Sequence, residues 1–175
     1  MGNKTLSEDS RFLADILRHH PERAGCALDP EGWADIGTIC ANTRLTRERI
    51  GEIVASGTRY GISDDGLRIR AYHGHSVPVD YGEPVEPPEI LYHGTSERGY
   101  GGILSSGAIL PMGRRMVHLS VSAERASDVG SRRGEPVILE VDAGRMHRDG
   151  LGLYLSADGV YLTEKVPAEY VRRAD

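Results

Sequence analysis

The chain has 175 residues, of which 39% are hydrophobic and 27% charged, an ordinary balance for a globular protein with room for one large domain or two small lobes. No apolar run approaches the roughly 20 residues a membrane helix needs, and the N-terminal residues lack the apolar core of a secretion signal, so a membrane span is excluded and the cytoplasm is the expected location. A net charge of −5 excludes a broad basic field for gripping long nucleic acid, so any such contact has to be local and made by a few arginines.

Residues 5–8 form a capping box, Thr5 to Glu8, that opens a helix. Phe12, Leu13, Ile16 and Leu17 recur at helical spacing, and Pro21 lies just beyond the expected end. A second short helix fits 35–42, burying Ile36, Ile39 and Cys40. A third runs from Thr46, an N-cap, to Gly57, and buries Ile50, Ile53 and Val54. Tyr60 and Ile62 then lead through Asp64-Asp65-Gly66 into a returning strand. Alternation puts Leu67, Ile69 and Ala71 on its inner face and Arg68, Arg70 and Tyr72 on its outer face. Three helices and a hairpin predict a winged-helix-like lobe over residues 1–75. Four prolines in 76–89 predict an extended linker.

Beyond the linker the pattern changes to short strands. They fit 89–93, 116–121, 136–141, 151–155 and 160–163, the last two joined by the turn Ala157-Asp158-Gly159. Val117, Leu119 and Val121 alternate with Met116, His118 and Ser120, and 136–141 reads as a buried run. Helices fit 96–106 and 122–131. Residues 90–175 thus predict an α+β lobe with a mainly antiparallel sheet. Cys26 and Cys40 sit in no CxxC or Cys/His spacing, so both are expected to be buried structural thiols.

Four clusters could carry chemistry. Arg18-His19-His20 closes the first helix; it could hold an anion or simply cap the helix with cationic side chains. Arg68 and Arg70 share a strand face and lead into His73-Gly74-His75-Ser76. Two arginines there could clamp a phosphate, and the two histidines have the alternation of a metal pair, although no third ligand is near in sequence. His93-Gly94-Thr95 joins a strand to a helix, where glycine permits close approach and a helix start can receive a phosphate or ribose oxygen; His118 on another strand could join it. Arg132-Arg133 lies between glycines in what reads as an exposed loop.

Taken in order, LRHHPE at 17–22, LDPEGWADI at 28–36, RIRAYHGHS at 68–76, LYHGT at 91–95, VHLS at 117–120, VGSRRGEPVILEVDA at 129–143 and DGVYLTEKVPAEY at 158–170 resemble the RNA 2'-phosphotransferase (KptA) family. The resemblance spans roughly residues 6–172. It implies a winged-helix-like lobe joined to an ADP-ribosyltransferase-like lobe that binds NAD. It also implies a two-step reaction without a metal. An internal RNA 2'-phosphate attacks the NAD ribose and expels nicotinamide, giving a 2'-phospho-ADP-ribosyl RNA intermediate. The ribose 2''-hydroxyl then attacks phosphorus and releases 2'-hydroxyl RNA and ADP-ribose 1'',2''-cyclic phosphate. A tRNA splice junction is the family's best-known substrate. The family's catalytic set carries over to Arg18, His19, Arg70 and Arg132, and its NAD contacts to His93, Gly94, Thr95, His118 and Ser120. A monomer is the expected state.

Three features qualify this match. Many ADP-ribosyltransferases place a catalytic glutamate on a late strand, where this chain has Val160, and an apolar residue there suits an acceptor that is already ionised. The family usually has glutamine in place of His73 and often histidine in place of Arg133. Two other readings compete: an ADP-ribosyltransferase that stops after the first step on a nucleic-acid phosphate, and a winged-helix DNA-binding regulator. The regulator's third helix would carry Arg44, Arg47 and Arg49 but also Glu48 and Glu52, a weak basic footprint.

Overall fold

Thr5 starts the first helix, α1 (Leu6–Arg18), in the computed structural model, which describes residues 5–131 and 135–174. Its hydroxyl accepts from the Glu8 N–H at 3.3 Å while the Glu8 carboxylate accepts from the Thr5 N–H at 2.8 Å, so the capping box is complete. Leu13, Ile16 and Leu17 are fully buried. A 3-10 turn (Pro21–Ala24) follows and ends on Gly25, in the left-handed region at φ 62. Asp35 caps α2 (Ile36–Asn42) and Thr46 caps α3 (Arg47–Ala55), each by accepting a backbone N–H of the first turn. Three short strands, β1 (Ala34–Asp35), β2 (Tyr60–Ile62) and β3 (Arg68–Ala71), pair antiparallel in the order β1-β3-β2.

These elements enclose one apolar core built on Leu13, Ile16, Leu17, Ile36, Ile39, Ile50, Ile53 and Ile69. Asp9 is the charged group buried at its margin, held by Arg44 at 3.0 Å and Arg49 at 2.8 Å. Burial opposes its ionisation, but the hydrogen bonds and positive charges of the two arginines together outweigh burial and hold its carboxyl below the usual range.

The chain divides into two compact units, Met1–Asp80 and Tyr81–Asp175. The second unit contains β4 (Ile90–Ser96), α4 (Glu97–Ser106), β5 (Ala108–Ile109), β6 (Val117–Leu119), α5 (Ala123–Gly130), β7 (Pro136–Asp142), α6 (Ala143–Arg148), β8 (Tyr154–Leu155), β9 (Tyr161–Thr163), β10 (Val166–Pro167) and β11 (Val171–Arg173). Strands assemble as β11-β7-β4, β6-β9-β8 and β10-β5, with antiparallel pairing throughout. The bridge Tyr92–Ser120, with reciprocal N–H···O bonds of 2.8 Å, ties β4 to the end of β6. Leu91, Val117, Leu119, Val137, Leu139 and Val141 form the core of this unit. The α+β class with small antiparallel sheets is therefore as the patterns predicted. No helix among the described residues is long and apolar enough to cross a membrane.

Several local expectations need correction. Leu67 is 53% exposed, because β3 begins at Arg68 and leaves Leu67 in the turn, outside the alternation that buries Ile69 and Ala71. Val121 is likewise exposed, because β6 ends at Leu119 before the chain enters α5. Cys26 and Cys40 are only partly buried, lying at the margin of the first core. Residues 136–141 alternate instead of being buried throughout: β7 sends Val137, Leu139 and Val141 inward while Pro136, Ile138, Glu140 and Asp142 stay partly exposed.

Candidate functional site

In the first unit the site grows from the end of α1. Arg18 is the last helical residue and lies against the turn 73–76. A Cβ on Gly74 would sit 3.3 Å from the Arg18 Nη1 and 3.4 Å from its Cζ, and Gly74 has φ +91, a region side chains rarely adopt. The backbone thus favours glycine here, and a methyl would also press on the guanidinium above it. The Ser76 N–H donates to the Arg18 carbonyl at 2.9 Å, satisfying one of the acceptors a helix end leaves open. His19, the C-cap residue, places its Nδ1 2.9 Å from the Ser76 Oγ.

His75 completes this turn and is 2% exposed, its Nε2 3.5 Å from where a Cβ on Gly32 would be. Burial first, then the positive charges of Arg18, His73 and His19, push its pKa down to about 4. A ring held neutral can be packed among cationic groups without adding to their repulsion. Arg18, His19 and His73 are therefore gathered around the neutral His75, and the Arg18 charge there suits an oxyanion. The open question of a metal at His73 and His75 meets one geometric fact: no three His, Cys, Asp or Glu side chains cluster as ligands among the described residues.

Arg70 stands on β3, which packs against α1. Its Cζ lies 4.4 Å from the centroid of the Trp33 ring, and its buried Nε has no hydrogen-bond partner among the described residues. Its Nη1 is 3.7 Å from Glu31. Arg68, on the same strand face, lies 5.4 Å from the same ring and pairs with Asp29 at 3.2 Å. Trp33 is a shelf for both guanidiniums, an arrangement that orients arginine, with Asp29 at one edge of Arg68 and Glu31 near one edge of Arg70. Arg132 and Arg133 lie outside the described residues.

In the second unit His93 donates from Nδ1 to the His118 carbonyl at 3.1 Å, since a carbonyl can only accept. That bond fixes the ring and its tautomer, which makes Nε2 the acceptor nitrogen of the neutral ring. His93, Thr95, His118 and Ser120 are all partly exposed on adjoining strands. Imidazole and hydroxyl groups can both donate and accept hydrogen bonds to a hydroxylated ligand. Gly94 has a different neighbour: a Cβ there would lie 1.8 Å from the Ala126 carbonyl oxygen, so its bareness admits the backbone of α5. Thr95 lies within β4, and the N-cap of α4 is Ser96, whose hydroxyl accepts from the Gly99 N–H at 3.3 Å.

Sequence reasoning placed His75 and Ser76 in the second cluster, weighing His75 only as half of a metal pair and giving Ser76 no role, and it did not single out Trp33. The signal for Ser76 lay in its place after a glycine turn beside two histidines. Trp33 carried no signal beyond its place in LDPEGWADI.

A family model described as RNA 2'-phosphotransferase, Tpt1 / KptA family, matches residues 4–165. The chain is 46% identical over 170 residues to a probable RNA 2'-phosphotransferase of Agrobacterium fabrum, covering 93% of this chain and 91% of that one. It is 43% identical over 184 residues to one of Pseudomonas aeruginosa, covering 99% and 100%. A third, from Streptomyces coelicolor, is 44% identical over 169 residues and covers 93% and 92%.

Proposed function

The chain belongs to the RNA 2'-phosphotransferase (Tpt1/KptA) family and is an RNA 2'-phosphotransferase, and from that premise we propose that NAD is its phosphate acceptor and that Arg18, His19, Arg70 and Arg132 carry the reaction. The observation that carries this reading is the cationic cluster at the end of α1: Arg18 seated on Gly74, His19 held by Ser76, and Arg70 laid on Trp33.

Arg18 and Arg70 hold the RNA 2'-phosphate through charge-assisted hydrogen bonds and orient it. The phosphate is already an anion, so its attack needs orientation more than a base. His19 takes or returns the proton of the ribose hydroxyl in the second step, a task for which an imidazole is suited. Arg132 stabilises the charge that builds on phosphorus. NAD supplies the electrophilic ribose carbon. His93, Thr95, His118 and Ser120 hold that co-substrate, with Gly94 setting the spacing of the strand that carries two of them. The first unit reads as winged-helix-like, on its three helices and three-stranded sheet, and the second as ADP-ribosyltransferase-like. The same reading takes residues 1–75 as the phosphate-binding lobe, 76–89 as linker and 90–175 as the NAD lobe. The acidic net charge limits RNA contact to a few nucleotides around the 2'-phosphate.

The test is incubation with a short RNA bearing one internal 2'-phosphate, with and without NAD, in EDTA. Expected products are 2'-hydroxyl RNA, nicotinamide and ADP-ribose 1'',2''-cyclic phosphate. An RNA heavier by ADP-ribose as the final product would overturn the second step. Arg18→Ala is expected to lower nicotinamide release by about 10²–10³-fold. Arg132→Ala is expected to spare that release and block loss of the RNA phosphate, and equal loss of release in both variants would refute this division of labour.

A further inference from the structure

Ser76 touches two parts of the α1 terminus at once. Its hydroxyl lies 3.4 Å from the Arg18 carbonyl oxygen and 2.9 Å from the His19 Nδ1, while its own N–H donates to that same carbonyl at 2.9 Å. A hydroxyl has one proton to give and can accept as well. The Arg18 carbonyl already takes the Ser76 N–H, and the hydroxyl's contact with it is longer than an ordinary O–H···O bond, so the short contact of the hydroxyl is the one to the His19 Nδ1. With Nδ1 protonated, the ring donates to the Ser76 Oγ and leaves the hydroxyl proton facing the carbonyl.

We infer that Ser76 is the positioning residue of His19, a relay of Nδ1–H to hydroxyl to Arg18 carbonyl that confines the ring's acid–base work to Nε2. The role presupposes the phosphotransfer chemistry proposed above, in which His19 handles a proton. It has a mechanistic consequence. Nδ1 is protonated in both the neutral ring and the imidazolium, so Nε2 can gain and lose a proton while every hydrogen bond at Nδ1 stays as it is. Without Ser76 the neutral ring would revert to the Nε2–H tautomer that free histidine favours in water, which has its lone pair on the wrong nitrogen. The backbone contributes separately: the Ser76 N–H keeps the turn on the helix end even when the hydroxyl is removed, so the side chain's part can be isolated.

The experiment has one readout that needs no activity. In the 15N-labelled full chain at pH 8, long-range imidazole correlations report the tautomer of each histidine, and His19→Gln identifies the His19 signals. Wild type is expected to show His19 with Nδ1 protonated, and Ser76→Ala to shift it toward Nε2–H. In the assay above, Ser76→Ala is expected to lower kcat by about 10-fold, the scale of one hydrogen bond, with KM for the phosphorylated RNA within about twofold. Ser76→Thr, which keeps the hydroxyl, is expected to recover wild-type kcat within about threefold. A wild-type His19 found as Nε2–H, or a Ser76→Thr variant as slow as Ser76→Ala, would overturn the role. Failure of the wild-type chain to remove the phosphate would instead sink the proposed function, and the tautomer would still decide whether Ser76 sets the ring.

Discussion

Each unit displays a glycine beside a histidine in its most conspicuous motif, Gly74 in the first and Gly94 in the second, and the two yield to different neighbours. The missing Cβ of Gly74 makes room for the far end of a flexible side chain, the Arg18 guanidinium. The missing Cβ of Gly94 makes room for backbone, the Ala126 carbonyl of α5. Gly130 answers from the other side of that seam, since a Cβ there would meet the Thr95 carbonyl oxygen at 3.0 Å. So one glycine seats a candidate catalytic group, and the other seats a helix against a strand. In the second unit the side chains offered to the proposed NAD site are therefore those of His93 and Thr95, which flank the seam.

The difference is sharpest under alanine. Gly94→Ala puts a methyl 1.8 Å from a carbonyl oxygen that belongs to a helix and cannot swing aside. The loss is expected to be about 4 kcal/mol, at the severe end of single substitutions, because α5 must lift from β4. Denaturant unfolding would measure it. A loss below about 1 kcal/mol would show that the seam is loose.

Acid should strain the first unit through His75. Its folded pKa of about 4 lies below the ordinary 6.5, so the unfolded chain binds the proton more tightly than the folded one. Stability from this group is then complete above about pH 6.5 and falls as pH drops toward 4, by at most about 3 kcal/mol. His75→Gln is expected to flatten that slope when unfolding is followed from pH 7 to pH 4. An unchanged slope in the variant would mean that His75 does not titrate in the way its burial demands.

Gly74→Ala should be milder than Gly94→Ala and different in kind. The added methyl meets a guanidinium that can move, and the positive φ costs about 1–2 kcal/mol. The fold is expected to survive, with kcat down about 10-fold as Arg18 is displaced. Equal damage to stability from both alanines would erase the distinction between seat and seam.

The helices were legible because their caps are written locally: Thr5, Asp35, Thr46, Ser96 and Ser122 each bond a backbone N–H three residues on. The two-residue strands β1, β5 and β10 were not, because two residues carry no period, and α6 has six residues and only Asp142 to announce it. The edge strand β11 was missed because it reads Val-Arg-Arg. Its arginines are tied to carboxylates, Arg172 to Glu140 and Arg173 to Glu97, and not buried. Within the site, alternation placed Arg68 and Arg70 on one face, yet nothing local could set Trp33 beneath them. The bond from His19 to Ser76 spans 57 residues, and only the closed fold brings those residues together.

The smallest expected effect has the opposite sign. Gly102 lies in α4, exposed, with nothing within 4 Å of where a Cβ would stand, and its φ is not in the positive range. An exposed helical glycine costs the folded state backbone entropy that alanine does not. Gly102→Ala is therefore expected to stabilise the second unit by about 0.5–1 kcal/mol with no change in turnover. Against Gly94→Ala in the same unit, it separates what the glycine's conformation contributes from what its missing atom admits. If Gly102→Ala were also destabilising, the cost at Gly94 could no longer be assigned to the seam with α5 alone.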